Sequence, residues 1–162
     1  PEKAKIIIDE LASFLRYSLT YKENSRIELK KEISFIKHYL HIQSIRFEQN
    51  LEVNIKIDKR TEFFMIPPAI LYPLVENAIK HGMETSKLPL KIDITSGFEK
   101  DKITIRIKNT GNWRDIVLDD NHSTKTGLTN VKERLKCEYN DRFHFNVTSE
   151  NEIVEVKLTF FI

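Results

Sequence analysis

Apolar residues first return every three or four positions and later every second position, so helices and strands separate by period alone. In "IIIDELASFLRYSL", Ile7, Leu11, Phe14, Leu15 and Leu19 stand at helical spacing and predict a first amphipathic helix. After the polar, punctuated "YKENSRIEL", Ile33, Ile36, Leu40 and Phe47 share one stripe interrupted by Gln43, which predicts a second helix from about Lys30 to Gln49. Leu51, Val53, Ile55 and Ile57 alternate with Glu52, Asn54 and Lys56, the pattern of a half-buried strand. In "IPPAILYPLVENAIKHG", Pro67 and Pro68 mark a helix start, because proline is tolerated in a first turn, and Gly82 marks a stop. The runs "LKIDIT" and "KITIRIK" predict neighbouring strands joined across "SGFEKD". From Gly111 to Lys125 the chain is polar and aperiodic, which predicts a mobile loop. "TGLTNVKERLKCEY" predicts a helix with Leu128, Val131 and Leu135 inward, and "FHFNVTS" and "IVEVKLTFFI" predict two closing strands. This order of elements predicts a two-layer α/β sandwich, a mixed sheet with helices packed on one face, preceded by a helical segment.

Composition narrows the function classes. The chain has 162 residues, 40% hydrophobic and 31% charged, enough for one domain with a real core. Its 26 basic and 24 acidic residues are dispersed and leave a net charge of +2, so no basic block argues for nucleic acid as a direct partner. Cys137 is the single cysteine and cannot form an internal disulfide, and no signal peptide or apolar run of roughly 18 residues occurs. A reducing, cytoplasmic setting is expected. Because the chain opens at Pro1 directly on helical sequence, it is read as a piece of something longer.

The chemistry concentrates in "LVENAIKHG". At about 100° per residue, Leu71, Leu74, Val75, Ala78 and Ile79 cover one arc of the helix; Glu76, Asn77 and Lys80 fill the opposite arc, with His81 at its edge. Asparagine is a poor helix-interior residue, so it stands there for a use or in a tolerant solvent-facing position. Its amide oxygen is a hard ligand suited to Mg²⁺, an ion that keeps several waters and takes further ligands from substrate phosphates. Lys80 offers a point charge for phosphate, and Glu76 a proton acceptor. From spacing alone, a solvated Glu76–Lys80 pair with Lys80 and His81 complementing the helix dipole is the more ordinary reading.

Two later segments shift that balance. "IKNTGNW" places Asn109 and Gly111 directly after a strand, where an amide reads a polar ligand edge and a glycine lets backbone approach closely. "TKTGLTN" places Gly127 at the start of a helix, where free N–H groups and the dipole favour phosphate. In this order the three segments resemble the ATP-binding domain of sensor histidine kinases, in the superfamily that also holds gyrase, a heat-shock chaperone family and MutL (GHKL). The likeness is to the LytS-type kinases: "LVENAIKHG" resembles their N box, "KNTG" their first glycine box and "TGLTNVKERL" their second. "LASFLRYSL", "KEISFIKHYLHIQSIRF" and "MIPPAILYPLVENAIKHG" extend it over nearly the whole chain.

The resemblance implies a Bergerat-type ATP-binding fold over residues 23–162, preceded by the tail of a dimerisation and phosphoacceptor helix region over 1–22. It implies ATP and Mg²⁺ as cofactors, Asn77 as the metal ligand and Glu76 as the group that orients or deprotonates. Lys80 and His81 would lie beside the phosphates, Asn109 would meet the adenine amino group, and Gly111, Lys125, Thr126, Gly127, Leu128 and Asn130 would complete the nucleotide site. The sequence departs from the pattern in three places: Asn109 stands where an Asp is common, Trp113 where the first box has its second glycine, and Lys125 where the second box opens with one. The phosphoacceptor His segment of the family is absent upstream of "LRYSL", so this stretch by itself is not expected to phosphorylate itself. The implied whole is a homodimer with a membrane anchor outside the fragment, its cytoplasmic catalytic part passing phosphate to the receiver Asp of a response regulator. Two other readings stand beside it: a degenerate nucleotide-binding or interaction module, motivated by the three departures, and a serine kinase on the same fold, which "LRYSL" and the second helix argue against. His38 and His41, at i and i+3 without an identified third ligand, read as surface or interface histidines.

Overall fold

Every second residue of the long strands faces one side, and that side forms the core. The computed structural model describes residues 26–112 and 124–162 together with Ile8, Ala12 and Leu15, and gives backbone alone for residues 124–126. The elements are β1 (Ile27–Glu28), α1 (Leu29–Phe47), β2 (Leu51–Lys56), β3 (Met65–Ile66), α2 (Tyr72–Thr85), β4 (Leu90–Glu99), β5 (Lys102–Thr110), α3 (Thr124–Tyr139), β6 (Phe143–Glu150) and β7 (Ile153–Phe161). Ile8, Ala12 and Leu15 are helical. The rest of the stripe predicted for the first helix lies outside the described residues, as do residues 113–123 of the loop predicted to run to Lys125, whose last two residues, Thr124 and Lys125, instead belong to α3.

Five strands form one sheet in the order β2-β4-β5-β7-β6, with β2 and β4 parallel and the other pairs antiparallel. Register stacks like on like across it: Ile94 faces Ile107, Ile107 faces Val156, and Val156 faces Val147. Leu90, Ile92, Ile94, Ile103, Ile105, Ile107, Val156, Leu158 and Phe160 are buried, and with Ile33, Ile36, Leu40 of α1, Leu74, Val75, Ile79 of α2 and Val131, Leu135 of α3 they make one core. This is the predicted two-layer sandwich with a mixed sheet. One polar residue breaks the inner rows: Asn109, 6% exposed, sits between Ile92 and Val154.

Three predicted boundaries move. Pro67 and Pro68 do not open α2, which begins at Tyr72 with Pro73 in its first turn. A proline drives the residue before it into extended backbone, so Ile66 belongs to a strand, and Ala69, at φ 55, turns the chain before the helix starts. Gly82 does not stop α2, which runs on to Thr85. The glycine is there for space: a Cβ on it would stand 2.5 Å from Leu90 Cδ1 and 3.2 Å from Asn109 Nδ2. "SGFEKD" is mostly strand, because β4 and β5 stay paired to Glu99 and Lys102, leaving Lys100 and Asp101 as a two-residue turn. Both have positive φ, as do Asn151 and Glu152 between β6 and β7, the turn geometry that matches the twist of an antiparallel pair.

Candidate nucleotide-binding site

All three motif segments meet on α2. At its C-terminal end, Thr85 Oγ1 accepts the Asn112 N–H at 3.0 Å, and the Ser86 and Thr110 hydroxyls lie 2.6 Å apart. Gly111 sits between them at φ 110 with its N–H on the Glu152 carbonyl at 2.8 Å; a Cβ there would collide with Thr85 Oγ1. Only glycine adopts that backbone without strain. In the last turn of α2, Gly82 lets Asn109 pack close, and the Asn109 amide group donates to the Thr110 carbonyl at 2.8 Å. At its start, a Cβ on Gly127 would be in ordinary contact with Pro73, 3.9 Å away. The helix that carries Asn77 is therefore flanked by both glycine segments. Gly111→Ala is expected to lose about 1–3 kcal/mol of stability, read as a urea midpoint, from forcing a side chain into this conformation.

Asn77 and His81 are half-buried and one turn apart, and Glu76 and Lys80 are exposed. Glu76 and Lys80 reach a second feature, a cleft of about 490 Å³ between α1 and α2. Tyr39, Gln43 and Arg46 of α1 and Tyr72, Glu76 and Lys80 of α2 line it. The Tyr72 hydroxyl lies 3.4 Å from Glu76 Oε1, and the Tyr39 ring meets the Tyr72 ring edge-on with centroids 5.0 Å apart. Gln43, which interrupts the apolar stripe of α1, thus faces this cleft rather than the core. A larger groove of about 710 Å³ between α3 and β6, with Lys132, Lys136 and Phe145 on its walls, carries none of the residues expected at the nucleotide, although Lys132 and Glu133 belong to the third segment.

On the third segment, α3 begins at Thr124, so Gly127 closes its first turn rather than opening it. Leu128 is half-buried against the core and Asn130 is exposed. The side chains of Lys125 and Thr126, and Trp113 altogether, fall outside the described residues. No motif marked Glu32 or Thr85, although a carboxylate on the buried arc of α1, four residues before Ile36, was a legible signal. Glu32 is fully buried, and its carboxylate accepts the N–H groups of Ala69 and Leu71, both at 2.9 Å, which sets where α2 begins.

Burial pushes the Tyr72 phenol up to about 12, helped by the neighbouring Glu76 charge. Burial likewise lifts Tyr139 to about 12, and lifts Tyr39 further, with the Tyr72 and Glu76 charges adding and Arg46 opposing. The folded chain keeps protons that the unfolded chain releases from pH 10 upward, so this stability is intact below pH 10 and is lost as pH climbs toward 12. A urea midpoint that falls over that interval, in step with phenolate absorbance, is the expected result.

A histidine kinase family model matches residues 1–51. Over 150 residues the chain is 32% identical to the sensor histidine kinase YpdA of Escherichia coli (strain K12), covering 89% of this chain and 26% of YpdA. The chain belongs to the sensor histidine kinase family. The sensor protein LytS of Staphylococcus haemolyticus is 28% identical over 158 residues, 91% of this chain and 27% of its own length. The chain thus spans about a quarter of the length of these relatives. Among solved structures, the catalytic domain of histidine kinase ThkA superposes with a TM-score of 0.61 at 14% identity, over 86% of this chain and 96% of that one. The histidine kinase domain of the blue-light activated kinase EL346 from Erythrobacter litoralis does so at 0.62 and 12% identity, over 99% and 79%. At these identities the likeness establishes the fold of histidine kinase catalytic domains.

Proposed function

We propose that this chain is the nucleotide-presenting part of a two-component histidine kinase, holding Mg·ATP for transfer to a histidine upstream. The observation that carries the reading is that α2 contacts both glycine segments, Gly111 at Thr85 and Gly127 at Pro73, so the stretch of helix that bears Asn77 runs between them. The donor set suits the ligand: an amide oxygen for a hard cation, an ammonium for phosphate, unpaired helix N–H groups and a glycine-lined approach. When bound, Mg·ATP supplies the transferable γ-phosphoryl group and the metal charge that offsets it.

Each residue then has a defined task. Asn77 ligates the metal through Oδ1, and Lys80 and His81 stand beside the phosphates. The first turn of α3, with Lys125, Thr126 and Gly127, and the Leu128 and Asn130 that follow it would receive phosphate. Asn109 would read adenine through its oxygen: one N–H of its amide is engaged by the Thr110 carbonyl, and the oxygen offers the ligand an acceptor as the more common Asp does. That counts against one of the departures favouring a degenerate module. Glu76, exposed on the cleft between α1 and α2, takes the proton released by the incoming imidazole.

In this reading residues 1–22 are the tail of the dimerisation and acceptor helices and 23–162 the ATP-binding domain. The intact protein is a homodimer anchored in a membrane outside this stretch, and it passes phosphate to the receiver Asp of a response regulator. A structure of ThkA is titled as a complex with a response regulator protein, TrrA, and one of ShkA as a complex with AMPPNP, which supports both ligands by kinship. Among the described residues no helix is long and apolar enough to cross a membrane. The test mixes the 162-residue chain with a separate polypeptide carrying the upstream helices and γ-labelled ATP. Acid-labile label on histidine is expected; ATP bound with no label transferred would leave the interaction module as the better reading.

A further inference from the structure

The C-terminal half of α3 is tied to the ribbon formed by β1 and β3 through three side chains. Tyr139 Oη donates to the Met65 carbonyl at 2.6 Å, and Arg134 Nη2 donates to the Pro68 carbonyl at 2.8 Å. Arg26, the residue before β1, binds Glu138 twice: Nε donates to the carboxylate at 2.8 Å and Nη2 to the main-chain carbonyl at 3.0 Å. Its guanidinium also lies 5.2 Å from the centroid of the Tyr139 ring. Directly after Arg26, Ile27 is buried and pairs with Ile66, so the chain is fixed from this point on. The same ribbon continues through Pro67 and Pro68 to Ala69 and Leu71, which Glu32 holds, and then into α2. One small junction therefore grips α3 by its end and α2 by its beginning, and Arg26 is where the upstream chain enters it.

We propose that Arg26 is a positioning residue, which through Glu138 sets the placement of α3 against α2 and so couples the chain before β1 to the nucleotide face. The proposal rests on the functional reading above for its consequence, but its structural part stands on its own. A helix is stiff along its axis, so a displacement at Glu138 is carried to Gly127, eleven residues and about 16 Å away, where α3 passes Pro73. Arginine suits the task because its planar fork reaches a carboxylate and a carbonyl of one residue together, and a lysine ammonium cannot hold both in that orientation. An ion pair this exposed adds little to stability, so its disruption should move α3 without unfolding the domain.

The experiment compares the 162-residue chain with Arg26→Ala, Glu138→Ala, Arg26→Lys, the single reversals Arg26→Glu and Glu138→Arg, and the exchange that combines the two reversals. Hydrogen exchange of α3 amides is followed without nucleotide, alongside the melting temperature and the Kd for Mg·ATP. The alanine variants are expected to melt close to the parent, to exchange faster over residues 127–131, and to bind Mg·ATP about two- to thirtyfold more weakly. Lysine should recover part of each change, and the exchanged pair should recover more than either single charge reversal. Unchanged α3 exchange in both alanine variants, or an exchanged pair no better than the single reversals, overturns the coupling. Failure of the parent itself to bind ATP would strike the functional reading instead, while the exchange data still decide the coupling.

Discussion

Asn77→Ala is expected to weaken Mg²⁺-dependent ATP binding by at least about 10–100-fold, since even the groups that support a metal ligand matter on that scale. The same change should leave stability level or raise it by about 0.5 kcal/mol, because alanine is the better residue in the interior of α2 and Asn77 is only half-buried. The opposed signs are what make the test informative. A residue kept for packing loses stability when truncated, whereas one kept for a ligand loses only the ligand. Titration calorimetry of the 162-residue chain with ATP, with and without Mg²⁺, reads the first quantity, and a urea midpoint reads the second. Equal affinity for parent and variant, with metal dependence retained, would move the metal away from α2. Glu76→Gln supplies the matching contrast: nucleotide should still bind, while transfer to the upstream histidine slows.

Glu32→Ala should be the most destabilising of these changes, by up to about 6 kcal/mol, because it removes the carboxylate partner of a buried N–H on Leu71 and a part-buried one on Ala69, at about 1–3 kcal/mol for each group left unpaired away from water. Against a domain stability of about 5–15 kcal/mol this is a large fraction. Glu32→Gln keeps the shape and one accepting oxygen but turns an NH₂ toward the second donor, so an intermediate loss is expected. The effect also has a functional arm, since Ala69 and Leu71 fix where α2 begins and hence the height at which Asn77 stands. Urea denaturation followed by circular dichroism checks the stability, and a loss under about 1 kcal/mol would show that other groups hold the Ala69–Leu71 turn.

Much of this was readable in advance, and the exceptions share a cause. The strands from Leu90, Lys102, Phe143 and Ile153 and the helices on Ile33 and Val131 follow from period, because alternation or a 3.6-residue repeat is the local trace of one buried face. The proposed site residues were read as a set of motif positions. Their roles were not readable one by one, since Asn-Thr-Gly alone is also an ordinary turn and Glu76–Lys80 an ordinary surface pair. Gly82 is instructive: as a glycine near the end of a helical pattern it reads as a stop, yet its reason is the approach of Leu90 and Asn109 from the sheet. Glu32 looked like one more charge in a charged stretch until Ala69 and Leu71, 37 and 39 residues on, came to meet it.

The sequence by itself determined the kinds of elements, the sandwich they build, the family and the motif positions from which a nucleotide site is proposed, because each is written in spacing along a few turns or in short motifs. Only the tertiary structure decided where α2 begins and ends, which residues turn the hairpins, that α2 is the wall common to both glycine segments, and that Arg26 reaches Glu138, 112 residues away. These depend on which faces meet after folding. A contact between residues far apart in the chain leaves no period behind for a reader of the sequence to find.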